Sequence, residues 1–121
     1  MKMRTIVLFA LFSLSLTACN AQTRTGNNQP ALEQIALSDS TVIVDVRTPD
    51  EYAAGHIEKS INIPLNVIAS QTKQLTGYKT IITVCRSGNR SGQAKIILEN
   101  AGFKNVYNGG GWEQFNSKLP K

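Results

Sequence analysis

Thr80-Ile81-Ile82-Thr83-Val84 is an unbroken β-branched run, and it constrains the fold more tightly than any other stretch of the chain. Two heavy atoms on Cβ stiffen χ1 and disfavour a helix, whereas a near-continuous apolar run suits a strand buried on both faces. The strand predicted over residues 80–84 stops at Cys85, and from Ser91 the period changes. Ala94, Ile97, Leu98 and Ala101 recur at i, i+3, i+4 and i+7, one face of a helix, with Gly102 placed to follow as the C′ residue. Between strand and helix lies a seven-residue turn, Cys85-Arg86-Ser87-Gly88-Asn89-Arg90-Ser91. A turn entering a helix aims unpaired backbone N–H groups at its mouth, so this is a ready anion site, and the group at the mouth would be a thiolate.

Thr41-Val42-Ile43-Val44-Asp45-Val46 repeats the composition of the central run and predicts a second buried, parallel strand, with Asp45 as a polar exception near its end. Thr48-Pro49-Asp50-Glu51 predicts a helix start: a Thr N-cap, Pro at N1, and Glu at N3 to close a capping box. Tyr52, Ala53 and Ala54 continue that helix to Gly55. Upstream, Pro30 marks a short helix with Leu32, Ile35 and Ala36 on one face. Downstream, a short strand is expected around residues 60–63, and a helix over 66–75 with Ile68 and Leu75 inward and Val67 beside them. Val106 and Tyr107 mark a short last strand over 105–108, Gly109-Gly110-Gly111 a turn, and Trp112 to Phe115 the start of a terminal helix. Strands alternating with helices predict an α/β fold of three layers: a central, mostly parallel sheet of four to five strands with helices on both faces. Ligands of such sheets bind beyond the carboxyl ends of the strands, where Asp45, Arg47, Cys85 and the glycine run fall.

The N-terminal stretch reads as a targeting signal. Lys2 and Arg4 precede an apolar run over 5–18 interrupted only by Thr and Ser. As a helix it would span about 21 Å, short of the roughly 30 Å hydrocarbon core, so a secretory signal over residues 1–18 fits better than a permanent span. Leu16-Thr17-Ala18-Cys19 resembles the lipobox of bacterial lipoproteins, which implies cleavage before Cys19 and its lipidation. Residues 19–29 are then a polar tether and 30–121 the domain. The expected location is the periplasm or cell envelope, membrane-anchored through Cys19; Asn20 favours the outer membrane where the organism has one. With Cys19 lipidated, Cys85 is the remaining thiol, and a lone thiol in an exported protein is either buried and inert or exposed and used. Without Lys2 and Arg4 the 13 basic residues become 11, against 8 acidic, a net charge of +3 in place of +5. No basic run or aromatic-interleaved basic stripe supports nucleic-acid binding, while a modest positive field suits small anions.

Asp45-Val46-Arg47, Glu51-Tyr52, Gly55-His56-Ile57, Asn62-Ile63-Pro64, the Cys85 to Ser91 turn and Gly109-Gly110 occur in one order at one set of spacings. Together they resemble the rhodanese-like domain, most closely its small, single-domain exported members of the phage-shock-protein-E type. The resemblance covers roughly residues 40–115, and the chain is shorter on its N-terminal side than larger members. It implies a sulfurtransferase without cofactor or metal. Cys85 would take a sulfane sulfur from a donor such as thiosulfate, release sulfite, hold the sulfur as a persulfide and pass it to cyanide or a thiol. Arg86, Ser87, Gly88, Asn89, Arg90 and Ser91 carry over as the substrate-binding loop, with Asp45, Arg47 and Glu51 in support. A thioredoxin-like reductant is a further expected partner.

The residues support that chemistry independently. A helix N-terminus and adjacent arginines depress a thiol pKa of about 8.5, and paired guanidinium N–H donors hold oxyanions. Gly88 lets the backbone turn its amides inward without a Cβ in the way. Plainer roles compete. Arg90 either contacts substrate or pairs with Asp45 or Glu51; Arg47 is expected to pair with Glu51, four residues on. His56, a lone histidine with no second ligand nearby, reads as a packing and hydrogen-bonding residue. Trp112 covers the core or walls the pocket. Two rival functions remain: a thiol redox-sensing or binding module, and a Cys-dependent phosphatase or arsenate reductase. Phosphatase loops resemble Cys-x5-Arg, whereas Cys85 to Arg90 is one residue tighter, a ring better suited to a single sulfur atom.

Overall fold

Side-by-side parallel pairing of the two β-branched runs sets the centre of the molecule. In the computed structural model residues 31–121 are described; Cys19, Pro30 and the stretches expected to form a targeting signal and a tether lie outside the described residues. Strand β1 (Thr41–Asp45) pairs in parallel with β3 (Thr80–Cys85), Thr41 opposite Thr80 and Asp45 opposite Val84. The short β2 (Ile61–Asn62) flanks β1, and β4 (Val106–Gly111) flanks β3, giving an all-parallel sheet in the order β2-β1-β3-β4.

Both faces are covered, as the unalternating runs require. Val42, Val44, Val46 and Ile81 point to the side where Ala94 and Leu98 of α3 (Asn89–Asn100) pack, together with Ile63, Ile68 and Leu75. Ile43, Ile82 and Val84 point to the other side, onto Ile57 and Phe115. Phe115 belongs to α4 (Trp112–Lys118); Leu32 of α1 (Leu32–Ile35) and the adjoining Ala36 lie against the same cluster. Helix α2 (Pro49–Ala54) starts with the expected capping box: Thr48 Oγ1 accepts from the Glu51 amide at 3.3 Å, and Glu51 Oε2 accepts from the Thr48 amide at 3.0 Å.

Three expectations need correction. Helix α3 begins at Asn89, two residues before Ser91, because Gly88 takes φ +100° and reverses the chain at once, so the end of the predicted turn is already helical. Residues 66–75 form two short 3-10 turns, Ile68–Ser70 and Thr72–Leu75, rather than one helix; Gln71 between them leaves helical geometry at φ −116°, ψ 17°. Ile68 and Leu75 are nonetheless buried. The glycine run is not a turn but the second half of β4, whose register slips by one residue against Thr83 and Val84 in a bulge. Two of its glycines leave no room for a side chain: a Cβ on Gly109 would lie 2.9 Å from Val84 Cγ1 and 3.0 Å from Ile82 Cγ2, and one on Gly111 would lie 2.9 Å from the Arg86 carbonyl oxygen.

Candidate active site

Cys85 ends β3 at the carboxyl edge of the sheet, and its side chain lies on the α3 side, where the helix N-terminus opens. The Gly88 amide donates to Sγ at 3.0 Å, and Ser91 Oγ lies 3.3 Å away. The residue is only 1% exposed. Such burial would serve an inert core cysteine if the surroundings were aliphatic, but this sulfur faces the amides of Ser87, Gly88 and Ser91 and one hydroxyl. Burial pushes the thiol up; the Ser91 hydroxyl and those three amides outweigh it, so its pKa falls below the ordinary value. Arg86 and Ser87 are exposed on the turn beside it, and Asn89 turns to Gln93 on the outer face of α3, its Oδ1 accepting from Nε2 at 2.7 Å.

Arg90 pairs with Glu51: Nη1 donates to Oε2 at 2.7 Å and Nη2 to Oε1 at 3.0 Å. Its charge is still felt by Cys85. The hydrogen bonds from Arg90, together with the cap at Thr48, hold the Glu51 carboxyl well below the usual carboxylate range. Arg47 therefore does not pair with the Glu51 carboxylate as its spacing suggested. Residue 47 precedes the helix, which starts at Pro49, so the i,i+4 geometry never forms. Its guanidinium instead clasps Asp45, Nε at 2.9 and 3.0 Å from the two carboxylate oxygens and Nη2 at 2.6 Å from Oδ2. It also donates to the Glu51 and Gly55 carbonyls of α2 and its C-cap and lies over the Trp112 ring at 4.6 Å. Trp112 thus packs against the second core cluster and under this arginine. His56 stacks on Tyr52 with ring centroids 3.8 Å apart and bonds the Tyr52 carbonyl through Nδ1 at 2.7 Å, a packing and hydrogen-bonding role.

Three residues given no site role from the sequence brace this region, Thr83 and Asn108 at the loop and Asn62 at the end of β1. Thr83 Oγ1 donates to the Ser91 carbonyl at 2.9 Å, and Asn62 Nδ2 donates to the carbonyls of Asp45 and Arg47, both at 2.9 Å. Asn108 accepts from Ser91 Oγ at 2.7 Å and donates to the Gly88 carbonyl at 3.1 Å. A cleft bounded by Leu37, Asp39, Ile57, Lys59 and Leu119 opens elsewhere and contains no residue of this cradle. Among the described residues no three His, Cys, Asp or Glu side chains converge as metal ligands. The site can therefore stabilise negative charge on, or next to, one sulfur atom.

The family described as Rhodanese-like domain matches residues 28–118. The chain is similar to the thiosulfate sulfurtransferase PspE of Escherichia coli, 39% identical over 70 residues that cover 56% of this chain and 67% of that one. It is also similar to the thiosulfate sulfurtransferase GlpE of Pseudomonas entomophila, at 34% identity over 84 residues, 69% of this chain and 77% of that one. Among solved structures, a "rhodanese with anions from E. coli" superimposes with a TM-score of 0.59 at 34% identity, over 66% of this chain and 94% of that one. With the sheet, the thiol at its carboxyl edge and the amide-lined turn all inside the matched span, the chain belongs to the rhodanese-like domain family.

Proposed function

We propose that the protein is a sulfurtransferase that takes a sulfane sulfur from thiosulfate, or a donor of the same chemistry, onto Cys85 and passes it to cyanide or a thiol. The observation that carries this reading is the Gly88 amide directed at Sγ from 3.0 Å at the mouth of α3. The Cys85 thiolate attacks the outer sulfur of thiosulfate. A Cys–S bond forms, the S–S bond of thiosulfate breaks, and sulfite leaves with the electron pair. Arg86, exposed beside the sulfur, supplies N–H donors for the sulfonate oxygens. Charge on the terminal sulfur of the persulfide is then met by the remaining amides of the turn. An acceptor nucleophile attacks that terminal sulfur, and the thiolate departs with the electrons of the broken S–S bond.

The arrangement of Arg90 weighs against phosphoryl or arsenate chemistry. Its donors are committed to Glu51 rather than turned to a tetrahedral oxyanion over Sγ, and the Asp45 carboxylate is bound by Arg47. The test is intact-mass measurement after exposure to thiosulfate, where a gain of ~32 Da, one sulfur atom, is expected on Cys85 and is discharged by cyanide or thiols. Cys85→Ser should lose both the adduct and thiocyanate formation. Aryl-phosphate hydrolysis at comparable turnover, or oxidised cysteine as the sole modification, would overturn the assignment.

A further inference from the structure

Ser91 is completely buried, and its single hydroxyl proton has two acceptors within reach. Sγ of Cys85 lies 3.3 Å away on one side and Oδ1 of Asn108 2.7 Å away on the other. Which way the Asn108 amide faces is settled by two further contacts: Oδ1 also accepts from the Gly110 amide at 2.9 Å, while Nδ2 donates to the Gly88 carbonyl at 3.1 Å. Flipping the amide would set N–H against N–H and oxygen against oxygen, so Oδ1 is held as an acceptor toward Ser91. Asn108 is thereby tied both to the hydroxyl that touches the nucleophile and to the glycine whose amide points at it.

We propose that Asn108 is a positioning residue for the Cys85 nucleophile: it accepts the hydrogen bond of the Ser91 hydroxyl while the sulfur is uncharged and gives up that bond to Sγ when negative charge forms there. In the thiol state Ser91 donates to Asn108 and its oxygen is free to receive the S–H. In the thiolate state the hydroxyl rotates, an O–H···S⁻ bond forms, and the O–H···Oδ1 bond is given up, Oδ1 keeping its bond from Gly110. No proton leaves Ser91 in the exchange. Asn108 therefore stabilises the neutral sulfur and moderates how far the cradle favours the anion. The inference concerns the thiol itself and holds whether or not the group it later carries is sulfur.

The readout is the pH dependence of Cys85 alkylation in reduced protein. Other charged groups around the sulfur are Arg86 on the turn, Arg90 on α3, Glu51 on α2 and the Asp45–Arg47 pair at the end of β1; Tyr107, the titratable residue of β4, packs with the opposite core cluster. An Asn108→Ala exchange alters none of these charges. It should lower the apparent thiol pKa by about half a unit to one unit, the worth of one neutral hydrogen bond, and the shift should vanish in a Ser91→Ala background. A pKa that rises or stays put, or a shift that persists without Ser91, would overturn the proposal and place the effect of Asn108 on the Gly88 carbonyl. Should Asn108→Ala not fold, Asn108→Asp keeps the acceptor and strengthens it. It should raise the pKa more in the wild-type background than in Ser91→Ala, and an equal rise in both would be equally fatal.

Discussion

Asp45 and Glu51 each hold an arginine, yet burial separates what the two pairs contribute. Asp45 and Arg47 are 0% and 5% exposed, whereas Glu51 and Arg90 are both 32% exposed. Removing one partner of a buried pair strands an uncompensated charge, so Asp45→Ala should cost about 3–5 kcal/mol. Glu51→Gln, which keeps an acceptor for the Thr48 cap and loses a solvated pair, should cost less than about 1 kcal/mol. Urea denaturation of the two variants tests the ranking, and equal losses would refute it. At this scale the sequence was uneven. Cys85 stood out because a polar, glycine-bearing turn directly follows a β-branched run, and folding sets its sulfur against the Gly88 amide; the alternatives for Arg90 included Glu51, with which it pairs. The partner of Arg47 was misread by applying a helical spacing rule to a residue that lies before the helix. Asn108 was not legible at all: it meets Ser91 across 17 residues of chain, and nothing local shows which way its amide turns.

Among the elements, β1, β3 and α3 could be placed from residue pattern because side chains with a period or a shape preference fill them. The end of β4 could not, since three glycines carry no periodicity and their usual role is a turn. The sheet needs them there for a reason visible only after folding: β3 crowds the space a side chain would occupy at Gly109 and the Arg86 carbonyl crowds it at Gly111. Gly109→Ala should therefore destabilise by about 1–3 kcal/mol, because two packed side chains and the Thr83 carbonyl oxygen, 3.2 Å from the new Cβ, cannot all retreat. Gly77→Ala is the control, with nothing within 4 Å of its Cβ, and should change stability by no more than about 0.5 kcal/mol. Thermal melts of the two proteins check the contrast; a Gly109→Ala variant as stable as the control would mean that the bulge can shift to admit a side chain. Residues 66–75 failed for the opposite reason: two well-spaced anchors, Ile68 and Leu75, suggested a helix, although the stretch from Ala69 to Gln74 between them is mostly polar and buries no side chain to hold a continuous helix against the core.

For the molecule as a whole, a sheet with every strand parallel gathers the carboxyl ends of its strands at one edge, and the start of α3 opens there too. Glu51 and Cys85, whose protonation is displaced by folding, both lie in that region, so the pH dependence of stability should report on the site. Folding lowers the pKa of Glu51, through Arg90 and the Thr48 cap, and that of Cys85, through Ser91 and the turn amides. In both cases the unfolded chain binds more protons over the window between the two values, so stability rises with pH there. The Glu51 contribution is complete above about pH 4.3, the unfolded carboxyl value, and is lost as acid takes the solution down toward its folded value. That of Cys85 is complete above about pH 8.5 and is lost as pH falls through its lower folded value. Denaturant titrations of reduced protein should therefore show the stability gap between wild type and Cys85→Ser widening from neutral pH to about pH 9, where the free thiol ionises. The gap between wild type and Glu51→Gln should instead close below about pH 4. A gap to Cys85→Ser that stays flat across the alkaline range would mean that the turn amides do not favour the anion, and the basis for a nucleophilic sulfur at this position would be lost.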